Sequence, residues 1–77
     1  MIIKDDKVKM SDELKKQLSH PDSIDHLKEF GDCEGIVLGP CEYNIDGIIT
    51  YDDEFVDVRW EPSGLRYGYN KNLLVKI

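Results

Sequence analysis

Two histidines and two cysteines, His20, His26, Cys33 and Cys41, are the residues whose types suggest nucleophilic or metal chemistry. A thiol beside an imidazole can be an activated nucleophile, and two of each can close around zinc. The spacing supports neither. The four do not fall at zinc-knuckle intervals, and neither histidine sits with a Cys or Ser in a nucleophile pattern. His26 precedes Cys33 by seven residues, a separation that chance readily supplies. In "GDCEG" acids flank the Cys33 thiol on both sides, which disfavours the reactive thiolate. The triplet "DDE", Asp52 to Glu54, gathers carboxylates that could hold a divalent cation. It lacks the ordered glycine and closing carboxylate of a calcium loop. The phosphate-cradling, dinucleotide-binding and H-E-x-x-H patterns are missing too. The chain therefore reads as non-enzymatic, without cofactor or metal. The histidines read as surface or half-buried polar residues. The cysteines read as reduced structural thiols, although the Gly39-Pro40 turn leaves a disulfide between them geometrically open.

Recognition is the chemistry left. The closing stretch "VDVRWEPSGLRYGYNKNLLVKI" sets Trp60, Tyr67, Tyr69, Arg59 and Arg66 around a Pro-Ser-Gly turn. Trp, Tyr and Arg are the residue types that dominate interface energetics. A small core needs the same aromatics for its buried area. We expect Trp60 and Tyr67 to build mainly the core, while Arg59, Arg66 and Tyr69, with Tyr43, face a partner. Charge adds a second feature. Nine acids and no Lys or Arg lie between Glu29 and Val58, and the whole chain carries −6. That balance argues against general nucleic-acid binding and could steer a basic partner. Asp52, Asp53 and Glu54 therefore join the expected protein-contact residues.

These side chains need elements to hold them. Seventy-seven residues make one domain, 1–77, with a small core; a chain of this size buries only about 60% of its unfolded surface. No apolar run approaches the roughly 20 residues of a membrane helix, and "MIIKDDKVKM" has no signal-peptide core, so a cytoplasmic setting is expected. "KVKM" alternates as a short strand. "SDELKKQL" follows as a helix capped by Ser11 and stopped at His20-Pro21. In the next helix, capped by Asp22 or Ser23, Ile24, Leu27 and Phe30 form one stripe, with Gly31 as its left-handed stop. The two helices make a hairpin over about 11–30. From Asp32 the signal is β. "CEGIVLGP" is a strand. Residues 41–54 read as an extra hairpin or a long excursion, with a turn at Asp46-Gly47, β character in "IITY" and a charged loop at "DDE". "FVDVRW" points Val56, Val58 and Trp60 one way. After the "EPSG" turn, Leu65, Tyr67 and Tyr69 share a face. "NKN" makes a turn, with one turn of 3₁₀ helix as an alternative, and "LLVKI" closes with Leu73, Val75 and Ile77 inward. Several short strands with tight turns predict a mainly β fold, a small closed barrel with a small α insertion after its first strand.

The pattern "V-x-V-R-W-x-x-S-G-L-x-Y-x-Y…L" resembles the last three strands of SH3-like barrels, particularly the Mib/Herc2 and KOW-like small barrels. It is carried by Val56, Val58, Trp60, Gly64, Tyr67, Tyr69, Leu73 and Val75. The helical pair departs from them, standing where a classical SH3 domain has its first long loop. Nearly the whole chain also resembles a group of small tailed-bacteriophage proteins with a "KVxMSDEL" opening, a "HLxEFGDCxGxV" middle and a "VDVRWxPSxLRYxY" end. That likeness implies a fold and a setting in a host bacterial cytoplasm, but no activity. Three functions follow as expectations: a module that binds a host or phage protein; an acidic mimic of nucleic acid that occupies a host DNA-binding enzyme; and a KOW-like nucleic-acid or ribosome binder using Arg59, Arg66, Lys71 and Lys76.

Overall fold

The computed structural model describes residues 2–77. The chain runs β1 (Lys7–Met10), α1 (Asp12–Gln17), α2 (Ile24–Phe30), β2 (Gly35–Ile45), β3 (Ile48–Trp60), β4 (Arg66–Asn70), a 3₁₀ turn (Lys71–Leu73) and β5 (Leu74–Lys76). Alternation buries Val8 and Met10 on β1. The Ser11 hydroxyl accepts from the Leu14 N–H and starts α1 as expected. Ser23 precedes α2 without a side-chain cap. Gly31 is not the left-handed stop expected of it. Its backbone is right-handed helical, and glycine is required for another reason: a Cβ would meet the Leu27 carbonyl oxygen at 2.5 Å. Among the described residues no helix is long and apolar enough to cross a membrane.

All five strands form one antiparallel sheet in the order β4-β3-β2-β1-β5. The fold is mainly β with two small helices, but the closed barrel expected from the sequence is an open sheet. β4 and β5 lie at its two edges, and β5, three residues long, pairs with β1 alone. The helices help seal the interior: Leu14 and Phe30 join Val8, Met10, Val37, Val56, Val58, Trp60, Tyr69 and Leu74 in a single core. Phe30 stacks on Trp60 with centroids 5.9 Å apart.

Three strand readings change. Of the "LLVKI" reading only Leu73 keeps its inward place, packing half-buried on the core from the 3₁₀ turn; on β5 it is Leu74 that enters the core, leaving Val75 and Ile77 exposed. A one-residue slip exchanges the two faces of a strand. Leu65 stays exposed in the turn before β4. "DDE" is not a loop between strands but an unpaired bulge within β3.

Candidate protein-binding surface

β2 and β3 are the two longest strands, and their far halves leave the body of the sheet. β1 pairs only with Gly35 and Ile36 of β2, while β4 pairs with Phe55 to Arg59 of β3. Beyond these points the two strands pair only with each other, from Glu42↔Tyr51 to Ile45↔Ile48. Asp46 and Gly47 both have positive φ, 52° and 82°, the pattern of a two-residue hairpin turn. The Asn44 Oδ1 accepts from the Gly47 N–H and braces it.

This arm carries apolar side chains that the rest of the chain leaves uncovered. Ile45 is 61% exposed, Ile48 68%, Ile49 54% and Tyr51 58%. Cross-strand partners share a face, so one side of the arm presents Tyr43, Thr50, Ile45 and Ile48, and the other Glu42, Tyr51, Asn44 and Ile49. "IITY" announced β structure, but no local pattern announced exposure, and Ile45, Ile48, Ile49 and Tyr51 were missed as contact residues for that reason.

At the root of the arm the register slips. Below Glu42↔Tyr51 the next pair is Pro40↔Val56, so Asp52 to Phe55 stand opposite Cys41 alone. The excess residues bulge from the ladder. The Asp52 carboxylate accepts from the Glu54 N–H at 2.8 Å and folds the bulge into a tight local turn. Three mutually repelling acids thus sit where the chain is free of cross-strand pairing. Beside them the Cys41 thiol approaches an Asp57 oxygen at 3.5 Å. Burial first, and the Asp57 charge second, push this thiol up to about 11, which keeps it protonated. Loss of solvent and then the Asp52 carboxylate raise the Tyr43 phenol as well. Among the described residues no three His, Cys, Asp or Glu side chains gather as a metal cluster.

The aromatic and arginine residues expected to act together are divided between two sides of the sheet. Arg59 and Arg66 are cross-strand partners and exposed, with Arg59 Nη2 3.3 Å from Glu61 Oε1. Tyr69 is not beside them. It is 8% exposed on the inner face, where its hydroxyl accepts from the Trp60 indole N–H at 2.9 Å and bonds the His26 imidazole. Tyr69 is thus withdrawn from the contact surface. Tyr67 has the reverse fate: opposite Val58 on the same face, it packs on His26 and Phe30 yet stays 41% exposed. Trp60 is fully buried, as expected.

Tyr43, Asp52, Asp53 and Glu54 therefore belong to the arm and its root, and Arg59 and Arg66 to the neighbouring sheet body. No protein-family model, curated protein or solved structure matches the chain.

Proposed function

We propose that this chain is a small non-enzymatic interaction module that grips a protein partner with the β2–β3 arm. The uncovered apolar surface of Ile45, Ile48, Ile49 and Tyr51 carries the reading. Water-exposed clusters of large apolar side chains are costly unless a partner covers them, and such patches mark interaction sites. Tyr43, Asp52, Asp53 and Glu54 flank the patch and give it a charge preference. The setting we propose is the one the sequence likeness implied, a phage accessory protein acting on a host or phage protein. The strand order β4-β3-β2-β1-β5, with β5 returning to β1, supports an SH3-like layout left open between β4 and β5.

One observation favours a second reading, an acidic mimic of nucleic acid. Residues 42–54 hold five acids and no Lys or Arg, all on a projecting element. The two readings separate in one experiment. The tagged protein captures its partner from a bacterial lysate, and the double variant Ile45→Ser/Ile48→Ser is compared with it across a salt series. Loss of capture in the double variant, with salt-resistant capture by the parent, supports the apolar arm. Capture that survives the double variant and is released by moderate salt supports the mimic.

A further inference from the structure

We infer that the outer edge of β3 between Ile48 and Tyr51 accepts an extended basic segment of the partner as an added strand. The inference rests on the arm reading above and specifies how that arm holds its partner. In a two-residue hairpin the residues flanking the turn exchange both backbone bonds, and hydrogen-bonded and non-bonded pairs then alternate. Ile45↔Ile48 and Tyr43↔Thr50 are accordingly the bonded pairs. Ile49 and Tyr51 turn their N–H and C=O groups away from β2, on a side where no strand lies among the described residues.

Open strand edges template further pairing, and proteins blunt them with Lys, Pro or brevity. The other edges are blunted in these ways. β4 begins with Arg66, β5 is three residues long and ends on Lys76, and the β2 side of the arm starts from Pro40. "IITY" has no such guard and consists of residues that favour strands. Charge decides what can occupy it. Two copies paired antiparallel through this edge would bring Asp52 and Asp53 of each against the Asp46-Gly47 turn of the other, and like charges opposite one another repel. A segment alternating Lys or Arg with β-branched residues meets no such penalty. One face of the added strand sets its apolar side chains beside those of the arm, the cation nearest the root answers the bulge of Asp52, Asp53 and Glu54, and its backbone bonds those of Ile49 and Tyr51.

Titration of the isotope-labelled protein with a short peptide of alternating Lys and Val tests this by NMR, with an alternating Glu and Val peptide as control. We expect shifts at the arm with the basic peptide only, and amide exchange at Ile49 and Tyr51 slowed by about tenfold or more at saturation. Ile49→Pro removes an outward N–H and spares the ladder to β2. It should abolish binding, whereas Ile49→Val, which keeps both the N–H and an apolar β-branched side chain, should retain it. Shifts at the arm without protection of these amides, binding indifferent to Ile49→Pro, or an equal response to the acidic peptide would overturn strand addition and leave the arm reading standing. No shift at any position would overturn strand addition alone, because the double-serine capture tests the arm with its natural partner. Shifts confined to the Arg59–Arg66 side would likewise overturn strand addition alone.

Discussion

The phenol oxygen of Tyr69 joins three elements, accepting from Trp60 on β3 and bonding His26 on α2. The phenol accepts from the indole and shares a second hydrogen bond with the imidazole Nε2, in which the histidine tautomer sets which group donates. Burial raises this phenol to about 12, so the proton stays in place across neutral pH. Tyr69→Phe leaves the buried Trp60 N–H without a partner and should cost about 1–3 kcal/mol in urea unfolding. Trp60→Ala, which empties the centre of the core, should cost about 3–5 kcal/mol. A Tyr69→Phe variant as stable as the parent would show that the indole finds another acceptor. The same link makes stability depend on pH. Burial lowers the His26 pKa, with the Glu29 charge working against it, and the rings packed against the imidazole are the uncharged Phe30, Tyr67 and Tyr69. The unfolded chain therefore binds the proton first. The contribution is whole above the unfolded value of about 6.5 and is lost as pH falls below it. The urea midpoint of the parent should drop between about pH 7.5 and pH 5.5 more than that of His26→Gln. Parallel curves for the two proteins would assign the acid sensitivity to other groups.

Elements set by local chemistry were legible in the sequence. Alternation marked β1, a hydroxyl before two acids marked the start of α1, and Asp46-Gly47 marked the turn, since each signal acts on its own few residues. Features set by pairing or cover were not. Leu73 and Leu74 are adjacent and equally apolar, so "LLVKI" offered two registers, and the 3₁₀ turn chose between them. Tyr67 and Tyr69 were rightly placed on one face, but which of the two is covered depends on the packing of α2 and Trp60. Of the candidate site, Tyr43 and the three acids were legible from type and charge, while the exposed isoleucines were not, because a strand does not record what lies over it. The arm's own stability does rest on its local turn, since a two-stranded hairpin is marginal alone. Gly47→Val forces a β-branched residue into positive φ at a cost of about 1–3 kcal/mol. Amides of Tyr43, Ile45, Ile48 and Thr50 should then exchange faster, while those of Val58 and Met10 keep their protection. Uniform loss of protection would instead make arm and core one cooperative unit.

At the scale of the molecule, charge and shape work against each other. The longest axis is 36 Å against 22 Å for the shortest, and nine acids run from Glu29 to Asp57 with no Lys or Arg among them in the sequence. A net charge of −6 on so small a body repels itself and favours expansion. Screening reduces this repulsion, because exposed charges interact over only about 8 Å at physiological ionic strength and about 30 Å in very dilute salt. The melting temperature should therefore rise between about 10 mM and 150 mM sodium chloride. The triple variant Asp52→Asn/Asp53→Asn/Glu54→Gln halves the net charge and removes the three crowded carboxylates at the root of the arm. Its melting temperature should exceed the parent's in dilute salt and approach it at the higher concentration. The core is untouched by these changes, as none of the three residues belongs to it. Equal salt dependence in parent and variant would show that the bulge already disperses its charge into solvent.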